Sequence, residues 1–280
     1  MRLFHKLALL LSALALVPLA VFAAFGVGRT NEALTERIEG EQARLASHAA
    51  TLTSTRVRSI LRSLSLYATY ADFGAASEEV LTGVLRVAYR QSDDITIVSV
   101  VDESGEPVVA SVYLEDPEST TTLRRHEAVT AEDLEEHGRR VPLDAALASG
   151  AAIGPPYGDA ERPRVAMAIE VPERREGRRL LLVAEVSLGR LVASLRALGT
   201  ESEELLVLGP GRDAIGREEA AVALPGPTAE GLPEEPTVGV YRDGGRRRLG
   251  AYAPVPVLGW GVLVRQDEST ALEPTARLRR

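Results

Sequence analysis

The chain has no cysteine among its 280 residues, which excludes disulfides, thiolate nucleophiles and cysteine-bound metals, so stability outside a cell must come from packing alone. Lysine is almost missing as well. Lys6 is the only one, and the arginine that replaces it elsewhere is read as the codon bias of a GC-rich bacterial genome. Histidine is scarce: His5, His48, His126 and His137 include no pair at metal-ligand spacing, which disfavours a zinc hydrolase. No serine stands in Gly-x-Ser-x-Gly or Ser-x-x-Lys. A net charge of −8 and a pI near 5.2 leave no broad surface to neutralise phosphates, so nucleic acid is not an expected partner. Arg246, Arg247 and Arg248 read as a solvated hairpin tip. What remains is ample: 45% hydrophobic and 26% charged residues build a core for one or two domains.

Residues 7–28 form an uncharged run behind Arg2, His5 and Lys6. At ~1.5 Å per residue the run spans ~33 Å as a helix, enough for a bilayer core of ~30 Å. Because Glu32, Glu36, Glu39 and Glu41 outnumber Arg29, Arg37 and Arg44 on the far side, the head is expected to stay cytoplasmic and the bulk of the chain to lie outside. The alternative is a cleaved secretory signal with Val21 and Ala23 at the cleavage site, although such apolar regions are usually only ~7–15 residues long.

Residues 30–70 read as one long helix with Leu34, Ile38, Leu45, Ala49, Leu52, Val57, Ile60, Leu64, Tyr67 and Ala71 near one stripe. Ile38, Leu45 and Leu52 are seven apart, the spacing of a short coiled-coil seam between two copies. Ser77, Glu78 and Glu79 cap a second helix. Strands are expected over 95–101 and 107–112, the first apolar on both faces and therefore interior. Thr130 and Asp133 open a short helix that Gly138 closes. Strands over 151–157, 164–171 and 179–186 follow, with a loop over 172–178, then a helix over 188–198. A smaller meander covers 204–208, 237–242, 247–255 and 260–266, with turns at Asp243-Gly244-Gly245 and Leu258-Gly259.

This order of parts resembles the extracytoplasmic double Cache (PAS-like) sensor region of bacterial transmembrane receptors over the whole chain. The stretches that carry the resemblance are the opening hairpin from Ile97 through Asp102-Glu103-Ser104-Gly105, Met167-Ala168-Ile169-Glu170-Val171-Pro172, Leu182 to Leu188, and Leu258-Gly259-Trp260-Gly261-Val262-Leu263-Val264 with Leu272-Glu273-Pro274. The resemblance implies an α+β chain: an N-terminal transmembrane helix continuing into a long stalk helix, then two PAS-like antiparallel-sheet domains. The expected division is 1–28 head and anchor, 29–74 stalk, 75–198 membrane-distal domain, 199–270 smaller membrane-proximal domain and 271–280 tail. It further implies a non-enzymatic small-molecule sensor in the inner membrane, single-pass with its bulk periplasmic or extracellular, needing no cofactor, homodimeric, and serving a separate kinase, cyclase or chemotaxis output partner. Such receptors normally re-enter the membrane before an output module, which is absent from this chain up to Arg280. The amino-acid-binding subset places arginine and aromatics together near the end of the second helix. Val87-Ala88-Tyr89-Arg90-Gln91-Ser92 has no tryptophan nearby, so the ligand class stays open.

The family template directs Tyr89, Tyr113, Arg124, Arg125, Tyr157, Asp159 and Arg164 to the larger domain's concave face, where an arginine, tyrosine hydroxyls and a carboxylate suit a small carboxylate or amine. Gly209-Pro210-Gly211-Arg212-Asp213-Ala214-Ile215-Gly216 follows a strand as a phosphate loop would. Pro210 lacks an N–H and no Lys-Ser/Thr follows, so it reads as a turn. Trp260 is assigned to the core. Two other functions are weighed against the sensor: a membrane-anchored envelope scaffold without a ligand and, more weakly, a secreted hydrolase.

Overall fold

The computed structural model describes residues 2–113, 128–219, 221–226, 231–256 and 258–271, with side chains from Thr35 onward. The first element, α1 (Arg2–Tyr70), is a single 69-residue helix. Among the described residues no helix is long and apolar enough to cross a membrane; the side chains of residues 7–28, on which the anchor expectation rests, lie outside those described. From residue 42 onward α1 buries Ala46, Ala49, Ala50, Val57, Ile60, Leu64 and Ala68, and apart from the adjacent pair Ala49 and Ala50 the intervals are three, four and seven, as one face of a helix requires.

After α1, Ser77 caps α2 (Glu78–Arg90), its hydroxyl accepting the Val80 N–H, and Glu78 and Glu79 occupy the first turn. Such a cap stabilises a helix by ~1 kcal/mol. The larger sheet runs β2-β1-β5-β4-β3, all antiparallel, from β1 (Ile95–Asp102), β2 (Val112–Tyr113), β3 (Ala151–Ile153), β4 (Arg164–Arg175) and β5 (Arg178–Ser187). Every residue of β1 is buried, as its two-faced apolar sequence predicts. Between β2 and β3 come α3 (Ala131–Arg140) and α4 (Leu143–Ser149); α5 (Gly189–Arg196) leads to the second sheet. That sheet runs β6-β9-β8-β7, with β6 (Glu204–Leu208), β7 (Thr237–Asp243), β8 (Arg246–Val255) and β9 (Trp260–Asp267), before the four-residue α6 (Glu268–Ala271).

One face of each sheet lies on α1. Val98, Met167, Leu182 and Ala184 of the larger sheet join Val207, Ala251, Val262 and Val264 of the smaller one, with Trp260, in a single apolar core around that helix. The opposite faces carry separate cores: Val101, Ala146, Ala168, Leu181 and Val183 under α4, and Leu206, Leu208, Ala214, Val222, Tyr252 and Leu263 on the smaller sheet. The alternation along β5 produces this division, since Leu180, Leu182, Ala184 and Val186 face α1 while Leu181, Val183 and Glu185 face away.

Several boundaries differ from expectation. Residues 172–178 are not a loop: β4 continues through Pro172, where a register shift between Val171 and Arg174 absorbs the missing N–H. The hairpin then closes on Glu176 (φ +52°) and Gly177 (φ +83°), the two positive φ values that a tight two-residue turn needs. The strand expected over 107–112 shrinks to β2, and that over 151–157 to β3 plus an isolated bridge between Tyr157 and Arg164. Gly138 does not stop α3, which continues to Arg140.

Candidate functional site

The apolar outer face of the larger sheet turns polar at one end. Glu185 is fully buried on β5, an acid inside the otherwise apolar run 180–186, and four side chains converge on it. The bulge between Ile95 and Ile97 leaves Thr96 as the extra residue, and its hydroxyl donates to Glu185 Oε1 at 2.6 Å. Arg164 Nη1 donates to the same oxygen at 3.3 Å. The Tyr157 hydroxyl donates to Oε2 at 2.6 Å, and His137 Nδ1 stands 3.9 Å from that oxygen.

Local sequence explains the placement. Tyr157 and Arg164 exchange both backbone hydrogen bonds, closing the turn 158–163 between them. Gly158 has φ +88°, and a Cβ there would lie 2.3 Å from the Arg162 carbonyl oxygen, so only glycine fits. Asp159 fixes the same turn by accepting the backbone N–H groups of Glu161 and Arg162 at 2.9 and 2.6 Å, an Asx-type arrangement. Thr130 and Asp133 make a reciprocal capping box at the start of α3, which leaves Asp133 Oδ1 to accept Arg164 Nη1 at 2.9 Å.

Charges in the cluster are set by burial and by these partners. Burial opposes ionisation of Asp133, but the Thr130 N–H and hydroxyl and the Arg164 and Arg162 charges outweigh it and hold its pKa below the usual value. Burial, helped by the Arg164 charge, lowers His137 to about 4. Burial and the Glu185 charge push the Tyr157 phenol far upward. Since Tyr157 spends its only proton on Glu185, its oxygen accepts the His137 Nδ1–H at 3.2 Å, and the neutral ring carries its lone pair on Nε2. That nitrogen is buried and has no hydrogen-bond partner among the described residues.

A cavity of about 360 Å³ opens beside the cluster, lined by Asp133, Glu136, Arg140, Tyr157, Asp159, Arg162 and Arg164. The Arg140 guanidinium sits 5.7 Å from the Tyr157 ring centroid, within cation–π range. A second cavity, about 270 Å³, uses the other side of the same turn: Tyr157, Asp159, Ala160 and Pro163 face Asp213, Ile215, Gly216 and Arg217 of the smaller domain. Arg196 Nη2 donates to the Gly216 carbonyl at 2.8 Å across this seam.

Of the residues the sequence singles out, Tyr157, Asp159 and Arg164 come together here. Tyr89 does not; it packs against the main core on the α1 side of the sheet. Tyr113 pairs with Ile97 at the sheet edge and lines neither cavity. Arg124 and Arg125 lie outside the described residues. Sequence reasoning missed Thr96, Asp133 as a site residue, His137 and Glu185. The signal for Glu185 was present, since a lone carboxylate inside a two-faced apolar strand needs partners. The stretch 209–216 is a turn, with positive φ at Arg212 and Gly216, and Trp260 is 2% exposed in the core.

The comparisons with known proteins agree with this architecture. The ligand-binding domain of the Pseudomonas aeruginosa PAO1 amino acid chemoreceptor PctB, solved with L-Arg, matches with a TM-score of 0.61 at 12% identity, covering 86% of this chain and 92% of that one. The ligand-binding domain of Mlp24 with asparagine matches with a TM-score of 0.56 at 13% identity, over 89% and 99% of the two chains. The sensory domain of the Campylobacter jejuni chemoreceptor Tlp3 with isoleucine bound matches with a TM-score of 0.53 at 13% identity, over 86% and 97%. No protein-family model and no curated protein sequence matches the chain. The chain therefore shares the fold of chemoreceptor ligand-binding domains, as the resemblance to double Cache sensor regions implies.

Proposed function

We propose that the chain is the extracytoplasmic signal-input module of a bacterial membrane receptor and binds a small molecule in its larger domain. The observation that carries this reading is the buried Thr96–Glu185–Tyr157–His137–Arg164 cluster beside an open cavity. A sheet face built only for packing has no need to bury these groups, whose desolvation is costly. The fold is one in which the neighbours named above hold amino acids at their own sites. In this proposal residues 7–28 anchor the chain with its head in the cytoplasm, residues 75–198 form the membrane-distal domain, and 199–270 the membrane-proximal one. Ligand occupancy is read by a separate kinase, cyclase or chemotaxis component, and the module itself carries out no reaction.

Thermal denaturation of the purified full chain in detergent against a broad metabolite set tests the reading. A ligand confined to the native state stabilises by RT ln(1 + [L]/Kd), ~2.7 kcal/mol at 100 Kd, a shift of several degrees. A screen without any stabilising compound favours the scaffold alternative.

A further inference from the structure

The helix that walls the polar end of the larger sheet is held there without an apolar anchor. Only two residues of α3 are buried, Asp133 and His137. Leu134 is half-buried and is not among the side chains that build the apolar cores of the described residues. The next helix, α4, is seated in the ordinary way, with Ala146 in the outer core and Leu143 and Leu147 packed against it. Two close polar contacts instead fasten α3: Asp133 Oδ1 accepts Arg164 Nη1 at 2.9 Å, and His137 Nδ1–H donates to the Tyr157 oxygen at 3.2 Å. The half-exposed Arg140 guanidinium over the Tyr157 ring adds to them from outside. An element with so little buried apolar surface belongs to the low-stability end of a fold.

The second fastening holds only while the imidazole is neutral. A proton added at Nε2 makes a buried N–H that has no acceptor among the described residues. The charged groups around the ring offer no remedy. Glu185 of β5 lies 3.9 Å from Nδ1 and already accepts Thr96, Tyr157 and Arg164. Arg164 of β4 repels an imidazolium, and Arg162 of the turn stands beyond Asp133. On α3 itself Asp133 is engaged by Thr130 and Arg164, and Glu136 faces Arg140. Lifting α3 solves the problem at small cost. Glu185 keeps Thr96, Tyr157 and Arg164, all of which sit on the sheet or its turn, and Asp133 keeps its capping box with Thr130, so the helix leaves as a helix.

We propose that α3 is a lid over the buried Glu185 cluster, latched at neutral pH by the His137–Tyr157 hydrogen bond and released as one unit by acid. Because α3 supplies Asp133, Glu136 and Arg140 to the 360 Å³ cavity, its release dismantles that wall and admits water to the cluster. As regulation of a ligand site the proposal rests on the sensor reading above, whereas the opening itself needs no ligand.

Hydrogen-exchange mass spectrometry on the purified full chain in detergent, at pH 7 and pH 5 with intrinsic exchange rates divided out, tests the opening. A ring that titrates at about 4 when covered and at the ordinary 6.5 when open favours the open form about twentyfold more at pH 5 than at pH 7. Peptides from 131–140 should lose protection by about that factor, while peptides from β5 keep theirs and serve as the internal reference. His137→Asn, which retains a donor for Tyr157 and cannot take up the proton, should abolish the difference. Protection of α3 that is the same at both pH values overturns the lid. So does an equal loss in β5, which would mean that the domain unfolds as a whole, or an unchanged pH response in His137→Asn. Each of these leaves the sensor reading standing, to be decided by the metabolite screen.

Discussion

Arg164 on β4 reaches diagonally across the ladder to Glu185 on β5, two positions from its own register partner Ser187, and meets it at 3.3 Å with neither side chain more than 5% exposed. The pair is compensated further by Asp133 on the arginine and by Thr96 and Tyr157 on the carboxylate. Such a pair is weak evidence of stabilisation as a whole, but each half depends on the other.

Arg164→Met should therefore leave Glu185 as an uncompensated buried charge and cost about 3–5 kcal/mol, on the order of 10 °C in melting midpoint. Adding Glu185→Gln, which removes the charge and keeps one carbonyl oxygen to accept Thr96 or Tyr157, should recover part of the loss. A double variant less stable than the single one would show that the charge pairing is not what matters.

His137 gives the fold a pH dependence of defined sign. Its folded pKa, about 4, lies below the ordinary 6.5, so between those values the unfolded chain binds the proton more readily. Its contribution is complete above pH 6.5 and is lost as the pH falls through that window toward 4. At ~1.36 kcal/mol per pKa unit the loss is about 3 kcal/mol. Denaturant titrations between pH 7 and 4 should show this slope, and His137→Asn should flatten it; an equal slope in the variant refutes the assignment.

In the smaller domain, Arg265 is 3% exposed and donates to Glu204 at 2.6 Å, Asp243 at 2.9 Å and both Glu219 oxygens at 2.8 Å. Arg265→Met should set three carboxylates against one another and cost about 3–5 kcal/mol at pH 7.5. Burial opposes ionisation of Glu204, but Arg265 leads the groups that hold its pKa below the usual carboxylate value. In the parent this stabilisation is present above the ordinary glutamate range and is lost as the pH falls through the lowered pKa. The stability gap between parent and variant should accordingly narrow at low pH, and a constant gap would contradict the electrostatic account.

The dimer seam expected along Ile38, Leu45 and Leu52 has a natural continuation further along α1. Leu45 packs partly against the main core, while Leu52 stays 39% exposed. Further along α1, Leu66 (52%) and Tyr70 (82%) join Val80 and Val87 of α2 in an exposed apolar face, and Leu66 lies two heptads beyond Leu52. A second copy of the chain seated on this face would continue the seam. Sedimentation equilibrium should show a dimer that Leu66→Arg with Tyr70→Ser weakens at least tenfold without changing the melting midpoint of the monomer; an unchanged assembly would exclude this face.

Regular elements were legible in the sequence wherever a period met a stop signal. Ser77-Glu78-Glu79, the apolar run of β1, the Asp243-Gly244-Gly245-Arg246 turn and the limits of β6 all follow from local chemistry. Pro172 misled, because a bulge can absorb a missing donor inside a strand, and only the pairing partner reveals it. The site was legible in its turn, where Tyr157, Asp159 and Arg164 are sequence neighbours, and illegible in its depth. Thr96, the Asp133 and His137 pair on α3, and Glu185 come from three separate elements, and a single chain carries no local sign that these elements meet. Tyr89 shows the converse, a suitable residue on the wrong side of a sheet.

The turn 158–163 serves as a party wall between two rooms. One side bounds the cavity of the larger domain and the other bounds the cavity shared with residues 213–218, where Gly216, with φ +74°, takes a backbone conformation that favours glycine. Gly158 and the Asp159 carboxylate hold that turn in one conformation. The polar end of one sheet and the edge of the other thus share one short piece of chain, and that six-residue turn bounds both volumes.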